Sequence, residues 1–326
     1  MSEMTLVQAV RRALWEELQH DPTVIVMGED VGRLGGVFRA TDGLLDEFGQ
    51  SRVIDAPLEE LGIAGVAIGA AMSGLRPVIE MQFADYIHPA YDQIVNEAAK
   101  IHYRSNGSFT CPIVVRAPCG AGVHGGMYHS QSVEALFFHV PGLKIVVPST
   151  PYDCKGLLKS AIRDDDPVLF FEHKRIYRSV SGEVPETDYT VPLGRADVKR
   201  VGEHVSIITY GIGVHLALEA AGRLAEEGVA AEVLDLRTVA PLDVEAIRDS
   251  VQKCGKVVVL HEDNRTGGIG AEVSAFIAEE CFDLLDGPVV RIGAADTHIP
   301  FARTLEEAVL PNAEDVVLAA RELMKR

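Results

Sequence analysis

The sequence predicts an α/β protein of two domains whose sheets are mainly parallel. Short apolar runs rich in β-branched residues alternate with segments of helical period along almost the whole chain, which is typical of parallel sheets covered by helices on both faces. The length of 326 residues is enough for two domains of ordinary size. The alternation stops once near the middle of the chain and then restarts. These observations together favour two unequal α/β domains.

The first part of the chain carries five predicted strands and five predicted helices. Apolar, β-branched runs predict strands at Thr23–Met27, Pro77–Gln82, Pro112–Arg116, Leu143–Val147 and Val168–Phe171. Segments of helical period predict helices at Leu6–Gln19, Glu59–Ser73, Ala90–Tyr103, Ser132–His139 and Tyr152–Arg163. We expect these elements to form a first domain over residues 1–180.

The stretch from Arg178 to Glu203 interrupts the alternation. It contains two prolines and three glycines and has no clear period, which is typical of a connecting segment. We therefore predict a linker at 181–203, followed by a second domain over 204–326.

The second domain repeats the pattern of the first. Strands are predicted at Val205–Tyr210, Ala231–Leu236, Lys256–His261 and Val289–Ile292. Helices are predicted at Val214–Glu227, Val244–Cys254, Ala271–Phe282 and Ala313–Met324. No catalytic motif stands out in this part of the chain.

The composition limits the classes of partner. A formal net charge of −18, from 48 acidic and 30 basic residues, argues against nucleic acid and anionic lipid as partners. No apolar run approaches the roughly 20 residues that a membrane span needs. The five cysteines show no C-x-x-C spacing, and the first residues lack the apolar core of a signal peptide. We expect a soluble protein of the cytoplasm.

The helix predicted at Glu59–Ser73 is unusual for a surface helix. After Glu60 it carries no charge until Arg76, so we expect burial on nearly every face. It also contains three glycines at spacings of three and four, which lower helix propensity by about 1 kcal/mol each. These glycines, Gly62, Gly65 and Gly69, predict that another backbone packs closely against the helix.

Two acids at the start of this helix allow two interpretations. Carboxylates are favoured near the positive end of the helix dipole, by about 0.3–1 kcal/mol. Alternatively, Glu59 or Glu60 is held in an apolar place, where the pKa of a carboxyl rises and the group can share a proton with a ligand nitrogen. The pattern alone does not decide between them.

A glycine-rich loop with two histidines is a second candidate. Residues 116–132 follow a predicted strand and precede a predicted helix, and such loops build the sites of α/β proteins. His129 stands at the exit of the loop; its alternative role is a bond to nearby backbone. His124 and His129 could bind a metal ion, but no third ligand has a suitable spacing.

Several common catalytic motifs are absent. There is no phosphate-binding G-x-x-x-x-G-K-[ST] loop and no G-x-S-x-G nucleophile elbow. Gly211 and Gly213 follow a strand, but Leu216 occupies the third glycine position of the dinucleotide fingerprint. The chain therefore has a candidate acid and a candidate base without self-sufficient chemistry, which a cofactor and a partner chain would complete.

The motifs, in their order and spacing, resemble a known family. They are Gly28–Gly32, Gly35–Phe38, Pro57–Ile63, Gln82–Tyr86, His129–Ser132, Pro141–Lys144, Ser149–Asp153 and Val233–Thr238. The chain resembles the beta subunit of the decarboxylating component of 2-oxo acid dehydrogenase complexes, nearly from end to end. The resemblance implies a thiamine-diphosphate pyrimidine-binding domain followed by a transketolase C-terminal-like domain.

The resemblance implies that the cofactor is shared between two chains. In the family, an alpha subunit holds the diphosphate of thiamine diphosphate through Mg²⁺, using a Gly-Asp-Gly motif and a pair of asparagines. This chain has neither. Glu60, and not Glu59, would then be the catalytic carboxylate, which binds the pyrimidine nitrogen and favours the tautomer that activates the cofactor. That role requires a dry pocket, because a solvated glutamate with a pKa of about 4.3 holds no proton at neutral pH.

The resemblance assigns roles to two further side chains. Tyr86 stands where the family places an aromatic ring against the aminopyrimidine, and an ordinary core tyrosine is the alternative interpretation. His129 matches the active-site histidine of the beta chain. Its implied role is to orient the 2-oxo acid and to transfer a proton when the lipoyl group is acylated.

A potassium site is implied for some members of the family. Its ligands would be Asp164, Asp166 and the carbonyls of Ala161 and Ile162, with Ile113 nearby. Hard oxygens suit such an ion, but family members often have asparagine at the position of Asp166. A helix end followed by a solvated turn is the alternative interpretation.

The implied partners are an alpha subunit, in an α2β2 heterotetramer, and a dihydrolipoyl acyltransferase with its lipoyl and subunit-binding domains. The segments Phe83–Tyr86 and Tyr128–Ser132 resemble those of the branched-chain members of the family more than those of the pyruvate members, which implies branched-chain 2-oxo acids as substrates, with pyruvate or acetoin as alternatives. Two functions of other classes stay open. One is a nicotinamide-dependent dehydrogenase, against which the failed glycine fingerprint argues, and the other is a non-catalytic scaffold subunit.

Overall fold

The computed structural model describes all 326 residues. The chain forms two compact units, one of residues 1–119 and 136–193, and the other of residues 120–135 and 194–326. Both units contain mainly parallel sheets with helices between the strands. The predicted fold class is therefore confirmed. None of the helices is both long enough and apolar enough to cross a membrane.

The first 193 residues contain eight strands and seven helices. The strands are β1 (Ser2–Thr5), β2 (Val24–Gly28), β3 (Val53–Asp55), β4 (Arg76–Glu80), β5 (Val114–Cys119), β6 (Lys144–Val146), β7 (Val168–His173) and β8 (Ser181–Val184). The helices are α1 (Leu6–His20), α2 (Leu44–Phe48), α3 (Glu60–Met72), α4 (Ala99–Arg104), α5 (Glu134–Phe138), α6 (Pro151–Arg163) and α7 (Ile176–Ser179).

The sheet of the first unit places the ends of three strands in register. Its strands run parallel in the order β6-β7-β5-β4-β2-β3. Every residue of β2, β5 and β7 is buried, as expected for strands covered on both faces. Gly28 at the end of β2 pairs with Asp55 of β3 on one side and with Glu80 of β4 on the other. The loops that follow these strands therefore start at the same edge of the sheet.

The remaining residues form six strands and five helices. The strands are β9 (Asp197–Arg200), β10 (Val205–Thr209), β11 (Ala231–Asp235), β12 (Thr238–Ala240), β13 (Val257–Asn264) and β14 (Val290–Ala294). The helices are α8 (Ile212–Glu226), α9 (Val244–Cys254), α10 (Ile269–Glu280), α11 (Arg303–Val309) and α12 (Ala313–Met324). Five strands form a sheet in the order β14-β13-β10-β11-β9, in which only β9 is antiparallel to its neighbour. The core lies between this sheet and helices α8 and α12.

Two stretches differ from the elements that the periodicity predicts. The helix predicted at Ala90–Tyr103 is confirmed over residues 91–104, but it is π-helical at Gln93–Ala98, its last part is α4, and a 3-10 turn at His88–Ala90 precedes it. Pro89 stands in that 3-10 turn, where the missing N–H of proline removes no helical hydrogen bond. The predicted linker at 181–203 contains β8, which pairs with β1, and β9, which pairs with β11.

Candidate active site

Three candidate side chains follow the strand ends of the first sheet. Glu29 comes directly after β2, Glu60 lies five residues after β3, and Tyr86 lies six residues after β4. Because β3, β2 and β4 are parallel neighbours, these side chains stand on loops that leave the carboxyl edge of one sheet. Ligands of α/β proteins bind at this edge.

The start of α3 separates the two neighbouring acids. Glu59 is the N-cap residue of the helix, and its side chain accepts a hydrogen bond from the Gly62 N–H at 3.4 Å. The Glu59 side chain is exposed, whereas Glu60, the first residue of the helix, is partly buried. Glu59 therefore performs the ordinary task of capping, and Glu60 is the acid that remains for chemistry.

Glu29 is a third carboxyl at the same place. It is 7% exposed, and its Oε1 atom is buried without a hydrogen-bond partner. Burial raises the pKa of Glu29, and the charges of Glu60 and Asp30 raise it further, while a hydrogen bond from the Glu59 N–H acts in the opposite direction. A carboxyl whose pKa is raised beside a second carboxyl is able to hold a proton. Glu29 and Glu60 are thus two carboxyl groups close to each other at the start of α3, and the pKa of Glu29 is raised.

The expectation that α3 is buried on nearly every face is wrong for this chain. One face is buried, but Leu61, Val66 and Met72 are 42%, 61% and 40% exposed. The glycines contact no other backbone of the chain: a Cβ atom at Gly69 would meet nothing within 4 Å, and one at Gly65 only the Gln93 side chain. The helix therefore presents an apolar face with small residues that this chain leaves uncovered.

Tyr86 belongs to a line of aromatic rings. Its ring meets Phe83 edge to face with centroids 5.9 Å apart, and Phe83 meets Phe38 in the same way at 5.5 Å. Phe38 in turn lies 5.3 Å from the ring of Tyr177. These contacts fix the position of the Tyr86 ring, since edge-to-face pairs have a preferred geometry.

A buried charge network holds the far end of this line. The Tyr177 hydroxyl donates to Glu172, and Arg116 donates two hydrogen bonds of 2.7 Å to the same carboxylate and one of 2.7 Å to Glu80. Arg116 and Glu172 have no exposed side-chain surface. Burial acts to lower the pKa of Arg116, but the charges of Glu172 and Glu80 outweigh it and raise that pKa. Burial raises the pKa of Glu80, although the charge of Arg116 acts in the opposite direction. The network ties together β4, β5 and β7.

The histidine loop, residues 120–131, lies in the second unit. Two buried or partly buried carboxylates of that unit hold it: Glu262 accepts the Ala121 N–H at 2.7 Å, and Glu306 accepts the Gly122 N–H at 2.9 Å. His129 is partly buried at the end of the loop. The structure brings His129 together with residues of the second unit.

A cavity of about 250 Å³ borders the histidine loop. Its walls include Met127 of the loop and the adjacent Ser132, together with Glu262, Asp263 and His298. Burial raises the pKa of Asp263 to about 8, and the charge of Glu134 contributes in the same direction. The cavity therefore contains a carboxyl that is largely protonated at neutral pH.

The potassium ligands implied by the sequence are engaged by other groups. The Ile162 carbonyl accepts a hydrogen bond from Arg76 at 3.1 Å, and the Lys144 ammonium lies 2.7 Å from Asp164 and 3.2 Å from Asp166. The Ala161 and Ile113 carbonyls accept backbone N–H groups at 3.3 and 3.0 Å. No group of three or more His, Cys, Asp or Glu side chains is arranged to hold a metal ion. The potassium site stays a prediction, and the Lys144 ammonium supplies the positive charge beside Asp164 and Asp166 in this chain.

Sequence reasoning missed three residues of these sites: Glu29, Arg116 and Glu306. Glu29 directly follows a strand that is buried throughout, which is a usable signal for a site residue. Arg116 and Glu306 gave no such signal, because their partners are 36 to 184 residues away in the sequence.

Comparison with known families places this geometry in a class. The family model "Transketolase, pyrimidine binding domain" matches residues 2–180, and the model "Transketolase, C-terminal domain" matches residues 194–316. A solved structure described as "Split gene transketolase, inactive beta4 tetramer" is similar with a TM-score of 0.80 and 28% sequence identity, and covers 99% of this chain and 98% of that one. The chain thus has the two-domain architecture of the transketolase type.

Full-length relatives narrow the class. The chain is 58% identical over 324 residues to the 2-oxoisovalerate dehydrogenase subunit beta of Bacillus subtilis (strain 168), covering 99% of both chains. It is 50% identical to the pyruvate dehydrogenase E1 component subunit beta of the same organism and 46% to that of Staphylococcus aureus, in each case over 100% of both chains. The chain belongs to the family of 2-oxo acid dehydrogenase beta subunits.

Proposed function

We propose that this chain is the beta subunit of a thiamine-diphosphate-dependent dehydrogenase that acts on branched-chain 2-oxo acids. With an alpha subunit, in an α2β2 heterotetramer, it decarboxylates the 2-oxo acid and acylates the lipoyl group of a dihydrolipoyl acyltransferase. Pyruvate and acetoin dehydrogenase beta subunits are the alternatives within the family. The names of the relatives support the choice, because identity is 58% to the 2-oxoisovalerate enzyme and 50% to the pyruvate enzyme of one organism.

The main support for this proposal is that the candidate site at the start of α3 is incomplete within this chain. Glu60 is only partly buried, although its proposed role needs a dry surrounding. The helix that begins with Glu60 exposes the apolar side chains of Leu61 and Val66. A second chain that covers this face would remove water from Glu60 and bury apolar surface in one step.

The side chains present fit the aminopyrimidine end of thiamine diphosphate. Glu60 would accept a hydrogen bond from, or share a proton with, the pyrimidine ring nitrogen, and the unpartnered Oε1 of Glu29 would keep a proton close by. Tyr86 would give the ring an aromatic surface. When bound, the cofactor supplies a nucleophilic carbon and an electron sink for decarboxylation. Mg²⁺ and the diphosphate would be held by the alpha subunit, since this chain has no Gly-Asp-Gly motif.

His129 would serve the later acyl transfer. A histidine suits this task because its ordinary pKa of about 6.5 lets it give and take a proton near neutral pH.

We also propose that the protein works in the cytoplasm. All five cysteines are buried and none forms a disulfide, as expected for a reducing compartment.

Reconstitution tests the proposal most simply. The chain is mixed with its alpha subunit, thiamine diphosphate and Mg²⁺, and the rates of reduction of an artificial electron acceptor are compared for 2-oxoisovalerate, pyruvate and acetoin. We expect no activity from either chain alone and the highest kcat/KM on the branched-chain acid. Activity of this chain by itself would contradict the shared site, and a preference for pyruvate would move the chain to the alternative substrate.

A further inference from the structure

Glu306 occupies an unusual place for a charged side chain. It stands in the first turn of α11 and is 1% exposed. One carboxylate oxygen accepts the Gly122 N–H at 2.9 Å, and the other lies 2.5 Å from Nδ1 of His124. Burying a carboxylate costs several kcal/mol unless donors satisfy it. Both donors come from the histidine loop, so the loop and Glu306 depend on each other.

The backbone of the loop is unfavourable at one residue. Gly122, His124 and Gly126 all have positive φ values, of 82°, 58° and 66°. Glycine adopts this region freely, but for a histidine it is unfavourable by roughly 1–2 kcal/mol. The bond between the His124 ring and Glu306 offsets this cost and holds the residue in place.

The contact continues from His124 to His129. The backbone of Gly125, the next residue, lies directly against His129: a Cβ atom built on Gly125 would come within 2.7 Å of the His129 Cβ and 2.9 Å of its carbonyl oxygen. A shift of His124 would therefore move Gly125 against His129. On the other side of the loop, the Gly120 N–H donates to the Gln131 carbonyl at 2.9 Å and closes the loop at its base.

We propose that Glu306 is a positioning residue, which sets the His129 side chain through His124 and Gly125 and so governs the acylation of the lipoyl group. This inference rests on the proposed function. In that step the substrate carbon forms a bond to one lipoyl sulfur while the S–S bond breaks, and the electron pair left by decarboxylation reduces the disulfide. The substrate hydroxyl would lose a proton as its carbonyl forms and the bond between the substrate carbon and the cofactor breaks, and the second sulfur would gain a proton. His129 carries this proton, whereas decarboxylation relies on Glu60.

The test compares two rates in the complete α2β2 enzyme with thiamine diphosphate and Mg²⁺. Decarboxylation is followed with an artificial electron acceptor, and acylation is followed on the free lipoyl domain of the acyltransferase. For Glu306→Ala we expect acylation to fall about tenfold or more, because small misplacements of a catalytic group are costly, with decarboxylation within about twofold of wild type. Glu306→Gln should recover much of the loss, since its amide still bonds Gly122 and His124.

The neighbouring Glu307 provides a matched control. Its side chain is 60% exposed and pairs with Arg303, so Glu307→Ala should change neither rate. An equal loss of both rates in Glu306→Ala would overturn the proposal in favour of a general structural role, and no loss in either would overturn it as well. If Glu306→Ala does not fold, His124→Ala, which truncates a side chain that is 46% exposed, should show the same split between the two rates.

Hydrogen exchange separates this inference from the proposed function. Amides 121–129 should exchange faster in Glu306→Ala than in wild type, and unchanged protection would contradict the positioning role whatever the substrate is. If the wild-type complex decarboxylates no 2-oxo acid, the proposed function is wrong, and so is the assignment of Glu306 to the acylation step. Faster exchange in Glu306→Ala would still show that Glu306 holds the loop in place.

Discussion

At the scale of single residues, the start of α3 gives two adjacent carboxylates different tasks. Glu59 caps the helix and is exposed, while Glu60 is partly buried beside Glu29. The motif in the sequence identifies Glu60 through its resemblance to a family. It does not reveal Glu29, because the approach of the two acids depends on the parallel pairing of β2 and β3. The role of Glu60 can therefore be predicted from the local sequence, whereas the position of Glu29 beside it requires the tertiary structure.

Tyr86 gives a prediction about cofactor binding. Its ring, held edge to face by Phe83 at 5.9 Å, should contribute about 0.5–1.5 kcal/mol of stacking beyond burial. Tyr86→Ala should therefore raise the half-saturating concentration of thiamine diphosphate roughly fivefold to tenfold in the reconstituted enzyme. Tyr86→Phe keeps the ring and should stay near wild type. Equal losses in both variants would show that the hydroxyl, and not the ring, contacts the cofactor.

Asp263 gives a prediction about pH. Burial, assisted by Glu134, raises its pKa from the ordinary 3.8 to about 8. Between these values the folded chain holds a proton that the unfolded chain has lost, so this carboxyl makes stability fall as pH rises through that window.

The comparison of Asp263→Asn with wild type checks this sign. The variant lacks the ionisable group, so its melting temperature relative to wild type should increase from about pH 4 to about pH 8 and level off above. Glu279→Gln, a change of an exposed carboxylate on α10, should show no such trend. A difference that is independent of pH would mean that Asp263 titrates at its ordinary value.

At the scale of elements, the period of apolar residues is a good guide where an element is long and covered by its own chain. Helices α1, α6, α8 and α12 begin and end within two residues of their predicted bounds. Strands β1 and β8 were not predicted, because each is a short edge strand whose partner is distant in the sequence. Ser2 of β1, for example, pairs with Val184 of β8. Their residues alternate too weakly between buried and exposed to give a period of two.

Helix α3 shows a second limit of sequence reasoning. Its continuous apolar character predicts burial, and the structure of this chain buries only one face. The hydrophobic pattern indicates that a surface is covered, but it does not indicate whether the same chain or another chain covers it. The same holds for its glycines, which meet no backbone within this chain.

Gly69 provides a test at this scale. A Cβ atom there meets nothing within 4 Å, so Gly69→Met should leave the isolated chain as stable as wild type, or more stable by up to about 0.8 kcal/mol from helix propensity. It should weaken assembly with the alpha subunit, because the larger side chain blocks close packing. The measurements are the melting temperature of the chain and an assembly titration monitored by activity.

The control for Gly69 is Gly222, a glycine of α8 that also has nothing within 4 Å of a Cβ position. Gly222→Met should change the stability of the chain in the same way as Gly69→Met and should leave assembly unaffected. Normal assembly of Gly69→Met would mean that no partner covers this part of α3.

At the scale of the whole molecule, the chain carries a candidate site that it does not close. The sequence alone predicts this incomplete site, because a complete thiamine enzyme in one chain would need the Gly-Asp-Gly motif that this chain lacks. The sequence did not predict that residues 120–135 belong with the second unit. That placement depends on Glu262 and Glu306, which lie 141 and 184 residues beyond the amides they accept.

The central claim is that Glu60 is the working carboxylate of a site shared with an alpha subunit. Its most direct test is the decarboxylation rate of the reconstituted enzyme with Glu60→Gln, beside the matched neighbour Glu59→Gln. The account predicts a loss of about a hundredfold or more for Glu60→Gln, in the usual range for a positioned acid or base, and a rate within about threefold of wild type for Glu59→Gln, whose amide oxygen still caps the helix. Near-full activity of Glu60→Gln, or an equal loss in both variants, would contradict it.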